Sequence, residues 1–130
     1  MTSQDKLVAK IKVLIVEDDR LIAENSSMML RSQGYEVSDI CNSSERALDS
    51  IRKNPPDIVL VDILLKGEQD GINFADRLRQ DFDIPFVYVT ATSDENILER
   101  AKVTSPYGYI IKPFNDRDLH SNIEMALYKF

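Results

Sequence analysis

The strongest constraint on the fold of this 130-residue chain is a regular alternation of short apolar runs with segments of helical periodicity. Short apolar runs bounded by polar or turn residues predict strands. The predicted strands are 11–16, 35–41, 58–61, 86–89 and 109–111. Most of these runs are apolar on both faces, which predicts a parallel sheet covered by helices on each side.

Segments with the spacing of amphipathic helices fill the intervals between the strands. The first predicted helix runs from Asp19 to Gln33, and Gly34 follows it where glycine favours a helix end. The later helices are indicated by a capping-box pattern at 42–45, apolar spacing over 72–80, and polar turns at 92–95 and 115–118. Right-handed crossovers leave few topologies. We therefore predict the α/β fold class, with a five-stranded doubly wound parallel sheet of order 2-1-3-4-5.

Charge, cysteine content and hydropathy narrow the function classes. The net charge of −6 offers no basic face for phosphate contacts, so this domain alone is not expected to bind nucleic acid. The one cysteine, Cys41, excludes an internal disulfide and is predicted to be buried. No apolar run is long enough for a membrane span, and the N-terminus lacks a signal-peptide core. We expect a cytoplasmic protein with an N-terminal extension at 1–10 and one domain at 11–130.

Polar side chains stand where four of the predicted strands end. These residues are Glu17, Asp18, Asp19, Asp62, Thr90 and Lys112. Each alone is commonly a helix cap, a turn former or a surface charge. If strands one and three are neighbours, however, Glu17, Asp18 and Asp62 converge at the switch point of the sheet. Three carboxylates repel one another without a cation, and oxygen ligands suit Mg²⁺.

The residue types at these strand ends also suit phosphoryl chemistry. A carboxylate such as Asp62, kept ionised by a metal, can attack phosphorus and form an aspartyl phosphate. Lys112 can balance the negative charge of the transferred group, and Thr90 can offer its hydroxyl to a phosphoryl oxygen. The pattern therefore indicates a phosphoryl-accepting site rather than a metal site alone.

These pieces, in this order, resemble the receiver domain of two-component response regulators, a CheY-like fold, over residues 11–128. The matching stretches are VEDD at 16–19, VD at 61–62, TA at 90–91 and KPF at 112–114. The resemblance implies that Asp62 is the phosphoacceptor, that Asp18 binds Mg²⁺ (or Mn²⁺) directly, and that Glu17 binds it through water. The backbone carbonyl of Leu64 would be a further metal ligand.

The resemblance also assigns roles to residues of the last two strands. Thr90, with Ala91 beside it, would be the switch hydroxyl, and Lys112 would bind the phosphoryl group. The peptide bond before Pro113 is expected to be cis. Tyr109 would be the switch aromatic, which moves inward as the threonine moves toward the phosphoryl group. The plainer interpretation of Tyr109 is a half-exposed strand tyrosine.

The function implied by the resemblance is a phosphoaccepting signalling switch in a phosphorelay. A histidine kinase or a histidine phosphotransfer domain would supply the phosphoryl group to Asp62. The surface made by helix four, strand five and helix five would change in response, and it is also a candidate face for a homodimer. The domain would promote loss of its own phosphoryl group without being a turnover enzyme.

The loop after Asp62 departs from the commonest form of the family. It is one residue longer, and Lys66 stands where proline is frequent. In the family, the positions of Leu64 and Thr92, each two residues beyond a site residue, border the route of the attacking water. The resemblance therefore implies that they influence how long the phosphoryl group persists. Both a stand-alone regulator and a receiver from a longer protein fit the sequence, and the lack of a C-cap glycine after the last helix mildly favours the second.

Other function classes fit the residues less well. A hydrolase with an aspartate nucleophile would need a second acid near Asp62, and Leu64 occupies the usual position. A flavodoxin-like electron carrier would need a phosphate-cradling loop after strand one, where this chain has acidic residues. A degenerate receiver is disfavoured because every acceptor-site residue is present. His120 lies in the last helix and is interpreted as an exposed residue rather than a phosphoryl donor.

Overall fold

The computed structural model of the protein describes residues 10–65 and 70–130. All of the predicted N-terminal extension except Lys10 lies outside these residues, as do Lys66 to Gln69 of the long loop. The strands are β1 Lys12–Val16, β2 Glu36–Cys41, β3 Ile58–Asp62, β4 Phe86–Thr90 and β5 Tyr109–Ile111. The helices are α1 Arg20–Ser32, α2 Ser44–Lys53, α3 Gly71–Arg77, α4 Glu95–Val103 and α5 Asp116–Lys129.

The five strands form one parallel sheet in the order β2-β1-β3-β4-β5, which confirms the predicted fold class and strand order. Strands β3 and β4 are buried along their whole length, as their apolar sequences predict. The edge strand β2 differs, because most of its residues are partly or fully exposed. Its sequence EVSDIC alternates less and carries charges, which suits an edge position.

Two apolar clusters cover the two faces of the sheet. One cluster joins the sheet to α2, α3 and α4 through residues such as Leu48, Phe74 and Ala101. The other joins it to α1 and α5 through residues such as Leu30 and Ile123. The carboxyl ends of the strands therefore open at one edge of a layered molecule. No helix within the described residues has the length and apolar character needed to cross a bilayer.

Side-chain caps begin the helices that flank the strand ends. Asp19 caps α1 and Asp94 caps α4 through hydrogen bonds from backbone N–H groups to their carboxylates. Asn115 opens α5 with a complete capping box. The capping box predicted at 42–45 is wrong in detail, because Ser43 is the cap and accepts from the N–H of Arg46. This register puts an arginine, which cannot accept the reciprocal hydrogen bond, in the position that the box reserves for Glu or Gln.

The helix predicted over 72–80 is divided in the structure. Regular α3 ends at Arg77, and a wider π turn covers Leu78–Phe82. The N–H of Asp83 donates to the carbonyl of Leu78 at 2.9 Å, and Asp83 adopts a left-handed conformation with φ 53°. Pro85 disfavours helix at the residue before it, so the chain must leave the helix here. The wide turn keeps Leu78 buried while residues 79–81 stay exposed.

Candidate functional site

The acidic residues of the site are brought together by the pairing of β1 with β3. Val16 is the register partner of Val61, so Glu17 and Asp62 follow at the same level of the sheet. One carboxylate oxygen from each of Glu17, Asp18 and Asp62 lies within 4.8 Å of the other two. Glu17 and Asp62 are buried, and Asp18 is half-buried. The convergence predicted from strand order is therefore present.

The ammonium group of Lys112, the residue that follows the edge strand β5, lies next to this cluster. The Nζ of Lys112 lies 2.6 Å from Oε1 of Glu17 and 3.2 Å from Oδ2 of Asp62. The peptide bond between Lys112 and Pro113 is cis, in agreement with the sequence expectation. The N–H of Lys112 donates to the carbonyl of Thr90 at 2.9 Å, which continues the pairing of β4 with β5 beyond the last strand residue. Lys112 is thereby directed across two strands toward the carboxylates.

The pKa values of Glu17 and Lys112 reflect burial and the crowding of negative charge. Burial raises the pKa of Glu17 to about 7, Lys112 opposes that shift, and Asp62 adds to it. Burial alone would lower the pKa of Lys112, but the carboxylates of Glu17 and Asp62 outweigh burial and raise it. Burial is the main cause of the Glu17 shift, whereas the two neighbouring carboxylates cause the Lys112 shift. A single ammonium balances only one of the two buried carboxylates. The site therefore has room, electrostatically, for a further positive charge.

Asp18 supplies the observation that fits a metal ion. Its Oδ2 is shielded from solvent and has no hydrogen-bond partner within 10–65 and 70–130. A shielded carboxylate oxygen without a partner is costly. Three clustered carboxylates with one unpartnered oxygen form the donor set that Mg²⁺ prefers. The residues present thus fit a divalent cation.

A backbone N–H orients the carboxylate of Asp62, and a glycine that sequence analysis did not single out packs against the Asp62 backbone. The N–H of Leu64 donates to Oδ1 of Asp62 at 3.0 Å, while the Leu64 side chain is 47% exposed. The N–H of Gly71 donates to the carbonyl of Ile63 at 3.1 Å. A Cβ atom at Gly71 would overlap the carbonyl oxygen of Asp62. The Asp70–Gly71 dipeptide was the available signal for this close approach.

Thr90 lies at the end of β4 and is fully buried, and its hydroxyl oxygen accepts a local hydrogen bond. Its Oγ1 accepts a hydrogen bond from the N–H of Thr92 at 3.0 Å, and the Oγ1 of Thr92 accepts from the N–H of Asp94 at 3.1 Å. Ala91 is exposed between these threonines. It lines a largely apolar groove of about 380 Å³ together with Lys112, Pro113, Phe114 and residues of α1. The site thus has an open approach from the α1 side.

Tyr109 contributes a half-buried ring whose hydroxyl is shielded from solvent. The hydroxyl has no hydrogen-bond partner among the described residues, and its pKa is raised by burial. The ring centroid lies 5.6 Å from that of Tyr88, on the face covered by α4. The intermediate burial of Tyr109 agrees with a half-exposed strand tyrosine, and its switch role stays a prediction.

Two further sequence predictions concern residues outside the site. Cys41 is buried, as predicted, and burial raises the pKa of its thiol to about 12. His120 is exposed on α5, and its Nδ1 lies 3.2 Å from the hydroxyl of Tyr35. Tyr35 packs in the cluster on the α1 and α5 face, away from the carboxylates of Glu17 and Asp62.

A sequence model of the response regulator receiver domain matches residues 13–124, which is most of the chain and includes every residue of the cluster. The chain belongs to the response regulator receiver domain family. Receiver domains are signalling switches of two-component systems that typically interact with histidine kinases and bind Mg²⁺ through an acidic pocket. This receiver domain has an acidic cluster of Glu17, Asp18 and Asp62 that could hold a metal ion.

Curated proteins similar to this receiver domain include a transcriptional regulatory protein and a DNA-binding response regulator. The chain is 33% identical over 129 residues to the transcriptional regulatory protein PdtaR of Mycobacterium tuberculosis, covering 99% of this chain and 62% of that protein. It is 32% identical over 116 residues to the DNA-binding response regulator MtrA of Mycolicibacterium smegmatis, covering 89% of this chain and 50% of that protein. The receiver domain thus spans about half to three-fifths of the relatives it matches.

Solved structures similar to this receiver domain share its fold closely. The signal receiver domain of a modulated diguanylate cyclase from Desulfovibrio desulfuricans G20 superposes with a TM-score of 0.89 at 40% identity, covering 93% of this chain and 96% of that one. The chemotaxis protein CheY4 of Vibrio cholerae superposes with a TM-score of 0.81 at 25% identity, covering 91% and 99%.

Proposed function

We propose that this receiver domain accepts a phosphoryl group on the carboxylate of Asp62 and works as a switch in a phosphorelay. The observation that carries the proposal is the position of Asp62, which is buried at the end of β3 among carboxylates and 3.2 Å from the ammonium of Lys112. A carboxylate held by the Leu64 N–H and a lysine is aligned for attack rather than free to rotate.

In the proposed reaction an oxygen of Asp62 forms a bond to phosphorus while the bond from phosphorus to an imidazole nitrogen breaks. The electron pair of the broken bond stays on that nitrogen, and the product is an aspartyl phosphate. Lys112 balances charge on the phosphoryl oxygens, and the Thr90 hydroxyl donates its proton to one of them. Ala91, with its small side chain, leaves room beside the phosphoryl group.

Asp18, Glu17, Asp62 and the carbonyl of Leu64 are the groups we propose to hold Mg²⁺ or Mn²⁺. The bound cation would supply positive charge where negative charge gathers in the transition state. The unpartnered Oδ2 of Asp18 supports a direct bond to the metal, and the contact of Glu17 with Lys112 supports a longer link through water. This set is the one implied by the family resemblance.

The output we propose is a shift in the surface formed by α4, β5 and α5. Thr90 and Tyr109 would carry the change, because Thr90 ends the strand that precedes α4 and Tyr109 begins β5. The same surface is our candidate for a homodimer. The receiver domain would also promote loss of its own phosphoryl group, since Leu64 and Thr92 border the site without shielding it fully.

The phosphoryl donor we propose is a histidine kinase or a histidine phosphotransfer domain. The apolar groove beside Lys112, lined by Ile22, Met29 and Phe114, offers that partner a contact surface next to the acceptor. We propose a cytoplasmic location because the donor reaction needs that compartment's kinases. Any DNA-binding activity belongs to the named relatives and is not proposed for this domain alone.

Intact-mass measurement tests the proposal. The protein is incubated with Mg²⁺ and acetyl phosphate, alongside an Asp62→Asn variant. We expect one added phosphoryl group on the wild type and none on the variant, because the amide cannot act as the nucleophile. Equal labelling of both proteins, or none on the wild type with folding intact, would reject Asp62 as the acceptor.

A further inference from the structure

Helix α4 is attached to the sheet by less burial than the other four helices. Ala101 is its one buried residue, whereas α1, α2, α3 and α5 each bury three or four. Ile97 and Leu98 are half-buried, and Val103 is 79% exposed. Because apolar burial is the main force that holds a helix on a sheet, polar contacts contribute an unusually large share of what positions α4.

A buried chain of hydroxyl groups fixes the C-terminal end of α4. The hydroxyl of Tyr88 lies 2.6 Å from Oγ1 of Thr104, and the Thr104 hydroxyl lies 2.6 Å from the carbonyl of Ala101. The single hydroxyl proton of Thr104 is donated to Ala101, so Tyr88 must donate to Thr104. Burial raises the pKa of Tyr88, which therefore remains protonated and able to donate.

An ion pair links the same helix to Asp70, the residue that caps α3. The Nη2 of Arg100 lies 3.2 Å from Oδ2 of Asp70, whose other oxygen accepts from the N–H of Asn73 and caps α3. Asp70 directly precedes Gly71, which packs against the backbone of Asp62. Arg100 therefore connects the middle of α4 to Asp70 and Gly71, which lie against the end of β3.

The hydroxyl chain lies next to the residues of the proposed switch. Tyr88 is two residues before Thr90 on β4, so the two side chains leave the same face of the sheet. The ring of Tyr109, with its unpartnered hydroxyl, lies beside Tyr88. A displacement of Thr90 and Tyr109 on this face would press on α4, and the Tyr88–Thr104 contact would have to yield.

We propose that the Tyr88–Thr104 contact, aided by the Arg100–Asp70 pair, is a latch that holds α4 in its resting position. The latch limits how readily Asp62 accepts and keeps a phosphoryl group, so this inference rests on the proposed function. A phosphoryl group shifts α4 only by the difference in its interactions with the two arrangements. Weakening the latch therefore raises the population of the receptive arrangement before any transfer occurs.

The test uses Tyr88→Phe, which removes one hydroxyl and leaves Thr104 bonded to Ala101. We expect phosphoryl uptake from acetyl phosphate with Mg²⁺ to be about two- to tenfold faster, the range of one net hydrogen bond. Amide hydrogen exchange over 95–104, measured without a phosphodonor, should accelerate by a similar factor. The matched control is Tyr35→Phe, which removes a hydroxyl that donates to Glu124 at 2.7 Å on the opposite face. It should change neither measurement.

Unchanged or slower uptake by folded Tyr88→Phe would overturn the latch, as would equal effects in Tyr35→Phe. If Tyr88→Phe does not fold, Arg100→Gln and Asp70→Asn, singly and together, test the second contact. Asparagine preserves the helix cap. The double variant should accelerate uptake no more than either single one, and additive effects would contradict the proposal. If the wild-type protein takes up no phosphoryl group, the proposed function is wrong. The hydrogen-exchange measurement, which needs no phosphodonor, still tests whether the Tyr88–Thr104 contact holds α4.

Discussion

The acceptor site and helix α4 are neighbours in the fold, but different forces hold them. The acceptor carboxylates stand at the ends of buried central strands and contact one lysine at 2.6 and 3.2 Å. Helix α4 buries one residue and is positioned by a hydroxyl chain and a surface ion pair. The comparison indicates that the proposed acceptor site is rigid, whereas the weakly attached α4 is the element that can change position in response to phosphorylation. Electrostatic changes should therefore affect chemistry most, and small packing changes should affect the response.

The largest effect is expected from Lys112→Gln. Removing the ammonium leaves two buried carboxylates without their cation, so phosphoryl uptake should fall by about 100-fold or more. The free energy of unfolding without metal should fall by about 3 kcal/mol, with partial recovery in Mg²⁺. Uptake kinetics and urea unfolding measure both effects. Lys53→Gln, which removes an exposed pair with Asp49, is the control and should change neither. An equal loss in both variants would show that Lys112 has no special role.

Gly71→Ala tests how rigidly the loop supports Asp62. The added methyl group would overlap the Asp62 carbonyl, so the backbone at Asp62 or Gly71 must move. This movement should lower the free energy of unfolding by about 1–3 kcal/mol. Uptake should slow as the acceptor loses its alignment. In Gly108→Ala the nearest atom is the side-chain oxygen of Asn122, which can move aside, so a smaller effect is expected. Unfolding curves for the two variants decide this, and a larger loss at Gly108 would contradict the account.

Asp18→Asn should separate metal binding from stability. The substitution removes one of three crowded negative charges, so the free energy of unfolding without Mg²⁺ should rise by about 1 kcal/mol. The stabilisation normally gained on adding Mg²⁺ should be lost, and phosphoryl uptake with it. Thermal unfolding with and without Mg²⁺ measures this. Asp19→Asn retains the cap of α1 and should keep the Mg²⁺ response. A normal Mg²⁺ response in Asp18→Asn would remove Asp18 from the metal site.

The smallest effect is expected at Leu64, whose side chain is exposed beside the acceptor. In Leu64→Asn an amide can hold the attacking water, so the phosphoryl lifetime should shorten by about two- to fivefold. The lifetime is followed by intact mass after removal of the donor. The control is Leu21→Asn, since Leu21 is also exposed but lies on α1. It should leave the lifetime unchanged. A longer lifetime in Leu64→Asn would reverse the expected role of this position.

The clustering of Glu17 with Asp62 could be predicted from the sequence because both residues stand at strand ends. Once Val16 and Val61 are neighbours, the positions of Glu17 and Asp62 follow from the regular geometry of parallel strands. The cap of α2 at Ser43 and the π turn after Arg77 were missed, since several local hydrogen-bond choices there have similar energies.

The contacts around α4 could not be predicted for a different reason. Tyr88 and Thr104 are 16 residues apart and belong to different elements, so no spacing rule brings their hydroxyls together. The close approach of Gly71 to Asp62 likewise depends on the path of a loop. Strand order decides which strand ends are neighbours. Side-chain packing decides which hydroxyl groups are close enough to form a hydrogen bond.

The most direct test of the central claim is amide hydrogen exchange of the wild type before and after treatment with acetyl phosphate and Mg²⁺. The account predicts altered exchange over residues 95–111, which include α4 and β5, and little change in β1 or β3. Phosphoryl uptake on Asp62 without any change over 95–111 would contradict it. So would a change confined to α2, on the far side of the acceptor from α4.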